Sequence, residues 1–288
     1  MERRVDVPNF DALVPAEIAL KAEEVGVRKA NLPWRQTLVL SVLAGAFIAL
    51  GALFSTTTLA GAAALPYGVA RLLAGLTFCL GLILVVLAGA ELFTGNNLIV
   101  MAYLNGRLTA ARVLRNWALV YVGNLAGAMA TAALVFLSGQ YAFGGGSVGL
   151  AALAIGTAKC GLGPIPAFFL GVLCNALVCL AVWLTMGART AGDKLLVILF
   201  PIAAFVAAGF EHSVANMYFL PLALLIKSDG AFLAAAGKTA ADYGTLTWAQ
   251  ALLGNLLPVT LGNIVGGAGL VGAVYGFVYS RPKPEPRA

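Results

Sequence analysis

Six long apolar segments constrain the fold of this 288-residue chain more than any other feature of its sequence. A helix needs about 20 apolar residues to cross a hydrocarbon core about 30 Å thick. Only 10% of the residues are charged, whereas soluble domains carry about 25%. We therefore expect an all-α integral membrane protein with six spans, at approximately 36–57, 68–104, 113–139, 163–187, 194–226 and 248–280.

The second and fifth segments are too long for a single crossing, and polar or glycine-rich stretches interrupt them at 89–97 and 209–216. Non-helical backbone at membrane depth is tolerated where it lines a cavity or is buried in protein. Transporters use such broken helices to place their substrate sites near the bilayer midplane. We therefore predict that both interruptions lie close to a functional site.

Two pairs of similar segments indicate an internal repeat. Ala88-Gly-Ala-Glu91 matches Ala208-Gly-Phe-Glu211, and residues 116–127 share asparagine, valine and glycine positions with residues 255–266. Each half contains three spans, and an odd number of crossings gives the halves opposite orientations. We therefore predict inverted repeats at about 34–139 and 150–281, with the site at their interface.

The basic residues predict the orientation in the membrane. Fourteen of the 18 Lys and Arg residues lie on the same side of the membrane as the two termini. Because basic residues favour the cytoplasmic side, we expect a protein of the inner membrane with both termini in the cytoplasm. This distribution explains the net charge of +6, so we expect no nucleic-acid partner. We expect three regions: a cytoplasmic segment (1–33) with an amphipathic interfacial helix, a transmembrane domain (34–281) and a cytoplasmic tail (282–288).

His212 is the only histidine and lies in the fifth-span interruption beside Glu211. Ionisable groups at membrane depth are costly and usually mark a substrate or proton path. One alternative is a buried neutral imidazole that ties two helices together. We favour the functional interpretation, because a histidine that becomes cationic when an anion approaches can pass a proton to that anion.

Other polar residues around the interruptions have two interpretations each. Glu91 and Glu211 occupy equivalent positions and are either proton carriers or structural braces that cap exposed backbone N–H groups, and their symmetry favours the brace. Thr94 and Asn216 can offer hydrogen bonds from the two breaks. Lys159 either concentrates anions in a vestibule or is a snorkelling interfacial lysine.

Metal, cofactor and enzyme chemistry find no support in the sequence. One histidine does not provide a usual catalytic zinc site, and the glycines at 144–146 lack the following Lys-Ser/Thr of a phosphate-binding loop. Ser213 is merely adjacent to His212 and has no recognisable hydrolase partners. We interpret the four cysteines as small core residues: Cys79, Cys160, Cys174 and Cys179.

The segments at 89–95, 171–183 and 208–217 together resemble the formate/nitrite transporter family, and most closely its formate channels. The resemblance extends over nearly the whole chain. It implies an aquaporin-like six-helix protomer with its own pore, assembled as a homopentamer. It also implies transport of a small monovalent anion across the lipid bilayer.

The resemblance further implies roles for individual positions. Apolar constrictions on either side of the central histidine correspond to Phe78, Leu82 and Phe205. The loop of the second-span break corresponds to Leu92, Phe93 and Thr94, with the threonine facing the histidine. Polar groups around the pore correspond to Asn175 and Asn216, and an outer-vestibule lysine to Lys159.

We therefore predict a proton-linked formate transporter in which His212 relays a proton to the anion. Nitrite, hydrosulfide, acetate and lactate are alternative substrates, since each has a neutral conjugate acid. A pH-gated passive channel for the bare anion is an alternative mechanism. A channel for a neutral solute and a non-transporting scaffold are the remaining hypotheses.

Overall fold

The computed structural model describes residues 11–279, and the regular elements of this range are all helical. The expected tail at 282–288 and the first ten residues lie outside the described range. The helices, in chain order, are α1 (Pro15–Ala30), α2 (Trp34–Leu59), α3 (Tyr67–Leu84), α4 (Val100–Leu104), α5 (Ala110–Leu137), α6 (Ser147–Cys160), α7 (Pro164–Gly187), α8 (Ala191–Ala207), α9 (Ser213–Lys227), α10 (Gly230–Ala235), α11 (Leu257–Ile264) and α12 (Val274–Tyr279).

The long apolar helices correspond to the predicted spans. Within residues 11–279, five helices are long and apolar enough to cross a membrane: Trp34–Leu59, Tyr67–Gly89, Ala110–Leu137, Pro164–Gly187 and Gln250–Tyr279. The remaining predicted span is divided between α8 and α9, which are shorter. The expectation of an all-α integral membrane protein with six spans is confirmed.

Both predicted broken helices are confirmed. The helix that enters each break ends differently. In the second span, a π-helical turn (Val85–Gly89) ends α3, and the chain resumes as a 3-10 turn (Gly95–Ile99) before α4. In the fifth span, α8 stops at Ala207 and α9 begins at Ser213. Gly89 and Gly209 take φ angles of 83° and 76°, which L-residues with a Cβ rarely adopt.

The fifth-span break is shorter than predicted at its carboxyl end. We expected it to extend to residue 216, but Asn216 lies in the first turns of α9. The His212 side chain accepts a hydrogen bond from the Ala215 N–H, and so acts as the N-cap of α9. The helix therefore resumes immediately after the histidine.

In each repeat, glycines bring two helices into backbone contact, and the helices concerned are equivalent in the two repeats. A Cβ at Gly127 of α5 would lie 1.9 Å from the Val42 carbonyl of α2, and one at Gly266 would lie 2.1 Å from the Val172 carbonyl of α7. Small residues allow this approach between membrane helices, whose association depends on packing rather than on exclusion of water. The pairs α2–α5 and α7–α11 thus form matching scaffolds around the breaks.

The helix α1 is amphipathic and packs on the bundle. Glu17 accepts a hydrogen bond from the Val14 N–H at 3.0 Å, which fixes its start, and basic residues in its last turn complement the helix dipole. Its buried face, including Ile18, contacts a cluster containing Met101 and Trp183. The last turn of α1 places Lys29 beneath the second-span break, and α6 places Lys159 in the same way near the fifth.

Candidate functional site

The two breaks meet at a hydrogen bond between Thr94 and His212. The Thr94 Oγ1 and His212 Nε2 atoms are 2.9 Å apart, and both residues are buried, with the histidine only 2% exposed. Thr94 precedes the 3-10 turn of the second span, whereas His212 precedes α9. The structure therefore brings together two predicted site residues from opposite repeats.

The backbone assigns the proton of the neutral imidazole. Because His212 Nδ1 accepts the Ala215 N–H at 3.1 Å, the ring hydrogen of the neutral form lies on Nε2. Nε2–H then donates to the Thr94 oxygen. The Thr94 hydroxyl hydrogen remains available for another acceptor. The site thus offers an anion one free donor, the Thr94 hydroxyl, beside the Nε2–H that Thr94 already accepts.

Two aromatic rings pack beside His212. The Phe205 ring stacks against the imidazole at a centroid distance of 5.8 Å. The Phe78 ring meets Phe205 edge to face at 5.5 Å. Phe78 and Phe205 are each 3% exposed, so together they form an apolar contact beside the histidine.

A cavity of about 420 Å³ reaches this aromatic pair and the histidine. We call it the Lys159 cavity, because Lys159 lies in its wall. Its other lining side chains include Phe78, Phe205 and His212, together with Arg71 and Glu211. The predicted vestibule lysine and two of the predicted constriction residues, Phe78 and Phe205, therefore line one continuous space.

A second cavity of about 410 Å³ lies on the opposite side of the constriction. We call it the Lys29 cavity, and it is lined by Leu82 and Leu92 beside the break of the second span. Phe78 and Leu82 are one helical turn apart on α3, yet they line different cavities. Its basic lining residues are Lys21, Arg28, Lys29 and Lys194.

A buried polar network holds the fifth-span break. Lys159 Nζ lies 2.7 Å from a Glu211 carboxylate oxygen. The other oxygen accepts from Asn216 at 2.6 Å and from Asn255 at 3.2 Å. Asn255 also donates to the Lys159 carbonyl at 3.0 Å, so this network ties α6, α9 and the last span to the break.

The first repeat contains an equivalent network that sequence reasoning missed in part. Lys29 Nζ lies 3.1 Å from Glu91, which also accepts from Asn96 at 2.7 Å. Asn116 donates to the Lys29 carbonyl at 3.2 Å. We did not assign Lys29, although Lys29-Ala-Asn-Leu-Pro33 resembles Lys159-Cys-Gly-Leu-Gly-Pro164. That similarity was the available signal.

We expected Glu91 and Glu211, as structural braces, to cap backbone N–H groups at the two breaks. The structure shows that they do not. Those groups bond instead to two other asparagines: Phe93 N–H donates to Asn124 at 2.9 Å, and Ser213 N–H donates to Asn263 at 2.9 Å. The carboxylates accept instead from side chains: an asparagine five residues further along the chain, and a lysine that reaches across from another helix.

Some predicted site residues line neither cavity. Asn175 donates to the Thr94 carbonyl at 3.3 Å and to the Asn263 carbonyl at 2.7 Å, and it therefore supports the break loop from behind. The Phe93 ring packs against Tyr121 at 5.0 Å and points towards α5. The Asn216 side-chain nitrogen donates hydrogen bonds to the side chains of Glu211 and Asn255.

The sequence matches the family model described as formate/nitrite transporter over residues 16–277. The formate channel FocA of Escherichia coli (strain K12) is 42% identical over 274 residues, which cover 94% of this chain and 96% of that protein. The formate channel FocA of Haemophilus influenzae (strain ATCC 51907 / DSM 11121 / KW20 / Rd) is 41% identical and covers 91% of this chain and 93% of its own length.

A solved structure has the same fold. A pentameric formate channel with formate bound superposes with a TM-score of 0.82 at 43% sequence identity. The match covers 86% of this chain and 98% of that one. The expectation of an aquaporin-like channel fold with inverted repeats is confirmed.

Proposed function

The chain belongs to the formate/nitrite transporter family, and we propose that it moves formate across the membrane with a proton, through His212. The observation that carries this proposal is the position of His212. It is buried where the two breaks meet, bonded to Thr94, and lies at the wall of the Lys159 cavity beside a pair of aromatic rings.

Entry into the pore begins in the two cavities. Lysines and other cations in their walls lower the electrostatic energy of a small anion. Beyond the cavities, the contact of Phe78 with Phe205 offers no polar group. Carrying a charge through such an apolar passage costs several kcal/mol or more. Formic acid, the neutral conjugate acid, avoids most of this cost.

His212 stands where the anion loses its hydration. The Thr94 hydroxyl donates a hydrogen bond to the carboxylate as it arrives, and Nε2–H donates to it once the carboxylate displaces the Thr94 oxygen. For His212 to give up a proton and stay neutral, the ring must first take up a proton at Nδ1 from the solution, which breaks the bond from Ala215. Transfer of the Nε2 proton to formate then leaves the Nδ1–H tautomer, and the N-cap of α9 is restored when Nδ1 loses its hydrogen and Nε2 regains one. Formate and the proton then leave together as formic acid.

A second mechanism has support from the same bond. The Ala215 N–H holds Nδ1 as an acceptor, which favours a neutral ring. A neutral ring still donates Nε2–H, so His212 and Thr94 together can stabilise a bare anion without proton transfer. The passive-channel mechanism is therefore the alternative to proton-linked transport.

The experiment uses proteoliposomes that contain a pH-sensitive dye and are exposed to a formate gradient. The proton-linked mechanism predicts that formate uptake acidifies the lumen in step with the flux, and that clamping the membrane voltage leaves the rate unchanged. A bare-anion channel predicts a current and voltage-dependent flux. His212→Asn should abolish the coupled pH change; if this variant retains wild-type coupling, the relay role is wrong.

Substrate choice and assembly follow the relatives. Formate is supported because the relatives that match over nearly the whole chain are formate channels, and nitrite is the next candidate. A competition panel of formate, nitrite, hydrosulfide, acetate and lactate tests this order. We also propose a homopentamer, by analogy with the pentameric neighbour. Mass measurement of the detergent-solubilised protein tests the stoichiometry.

The orientation is proposed from charge alone. Most Lys and Arg residues lie on the side of the termini, which places the Lys29 cavity at the cytoplasm and the Lys159 cavity at the outer face of the inner membrane. Labelling of a single engineered cysteine at position 238 in intact cells tests this. An impermeant reagent should reach that residue from outside.

A further inference from the structure

Arg71 links α3 to the carboxyl end of α8. Its Nε donates to the Ala207 carbonyl at 3.2 Å, and an Nη group donates to the Val206 carbonyl. Its side chain also lines the Lys159 cavity. Its charge contributes to the attraction of anions into that cavity, but its two hydrogen bonds have no part in that attraction. At the other break, a π-helical turn is closed by the Ala90 N–H, which donates to the Val85 carbonyl at 2.9 Å.

The end of α8 needs such a donor because it lies at membrane depth. The last carbonyls of a helix have no partner within the helix, and an unpaired buried carbonyl is costly. Gly209 N–H donates to Val206, and Phe210 N–H donates to Phe205. The guanidinium supplies the Ala207 carbonyl and a second bond to Val206, so it completes the C-terminal cap.

The same face of α3 carries the constriction. Arg71, Gly75 and Phe78 are spaced at i, i+4 and i+7, which places them along one side of the helix. A Cβ at Gly75 would lie 2.6 Å from the Ala203 carbonyl of α8, so the two backbones touch there. Phe78 then meets Phe205 one turn further on.

We propose that Arg71 is a positioning residue whose two bonds fasten the last turn of α8 to α3 and thereby hold Phe205 against Phe78. The width of this contact then sets the largest molecule that passes between the Lys159 cavity and the Lys29 cavity. Arginine suits the role because its planar fork bonds two carbonyls at once, whereas lysine presents a single flexible ammonium group.

A charge-only role is the rival interpretation. Arg71 faces the cavity, so its cation also attracts anions. Arg71→Lys separates the two roles, because it keeps the charge and loses the fork. Arg71→Gln keeps a donor and removes the charge. Lys238→Gln is the matched control, since it removes an exposed cation on the same side of the protein.

The test measures the ratio of lactate to formate uptake in proteoliposomes and, separately, the osmotic water permeability of the same vesicles. Both should rise by about threefold or more in Arg71→Lys and Arg71→Gln, since each variant loses a charged hydrogen bond. Lys238→Gln should match the wild type. Wild-type values of both quantities in Arg71→Lys overturn the proposal and leave charge as the role.

Two checks keep the outcomes distinct. Size-exclusion chromatography confirms assembly, and if Arg71→Gln fails to assemble, Arg71→Lys decides alone. The uptake ratio rests on the proposed transport of formate. If the wild type takes up no formate, that proposed function is wrong, whereas the water permeability still decides the role of Arg71.

Discussion

Thr94 Oγ1 lies 2.9 Å from His212 Nε2, although 118 positions separate the two residues in the chain. The bond joins the break of one inverted repeat to the break of the other. It also shows where the symmetry ends: position 92 corresponds to the histidine in the first repeat and is leucine, and position 214 corresponds to the threonine in the second and is valine. Among the described residues this pair therefore occurs once, where the two breaks meet.

Thr94→Val should reduce formate uptake strongly while leaving assembly intact. The substitution preserves shape but leaves the buried Nε2–H of His212 without its acceptor, at a cost of about 1–3 kcal/mol. Uptake of radiolabelled formate into proteoliposomes measures the effect. Thr94→Ser is the control and should retain uptake, because it keeps the hydroxyl. Equal uptake by the valine and serine variants would argue against any role for this bond.

Glu211→Gln should destabilise the protein more than Glu91→Gln. Lys159 is 14% exposed in its side chain, against 26% for Lys29, so it loses its partner in a less hydrated place. Breaking a buried ion pair by removing one partner costs about 3–5 kcal/mol. Thermal unfolding of the two variants in detergent should therefore show the lower midpoint for Glu211→Gln. The reverse order would contradict the burial argument.

Gly127→Ala should unfold at a distinctly lower temperature than the wild type or fail to assemble. The new methyl group meets the Val42 carbonyl at 1.9 Å, and neither backbone can move without separating α2 from α5. Overpacking of this kind costs about 1–3 kcal/mol or more. Gly68→Ala is the matched control, because a Cβ there has no neighbour within 4 Å. Its midpoint should equal that of the wild type.

Lys194→Gln should raise the pKa of Lys21. Burial lowers the pKa of Lys21 from its ordinary value, and the charges of Lys194 and Arg189 lower it further. Removing one like charge restores part of the shift and leaves the larger contribution of burial. NMR titration of ¹³C-methylated lysines measures the change. The Lys238→Gln variant should leave the Lys21 titration where it is, and a lowered Lys21 pKa in Lys194→Gln would refute the assignment.

The stability attached to Lys21 follows the same sign. Its pKa is lower in the folded protein than in the unfolded chain, so folding disfavours its charged form. This contribution opposes folding at pH values below the folded pKa, where both states are protonated. It fades as the pH rises from the folded towards the unfolded pKa.

The sequence allowed much of the fold to be predicted because its main determinants are local in the chain. Apolar length identifies the spans, and the glycine and polar residues near positions 89 and 209 identify the breaks. The internal repeat could be recognised because Glu91 and Glu211 lie in similar sequence motifs. These features identify a segment as a span or a break from its own sequence, without knowledge of the segments that pack against it.

The site was harder to predict because it depends on which side chains reach one another. Lys29 lies in an amphipathic helix where basic residues are ordinary, and beyond the similarity of its segment to that of Lys159, its bond to Glu91 is what distinguishes it. Phe93 and Leu92 are adjacent, but Leu92 lines a cavity and Phe93 turns towards Tyr121. Such directions follow from the irregular backbone of the break, for which periodicity gives no rule.

The placement of Phe78 and Leu82 has a consequence for membrane voltage. One turn of α3, about 5–6 Å along the axis, separates the residues that line the two cavities. Solvent entering each cavity carries the potential of its own side to this turn. A voltage that would otherwise fall across about 30 Å of hydrocarbon is then concentrated roughly fivefold. An ion passing His212 would experience nearly the full 2.3 kcal/mol per 100 mV, about as steeply as a gating charge, whereas a neutral acid would cross the same field unaffected.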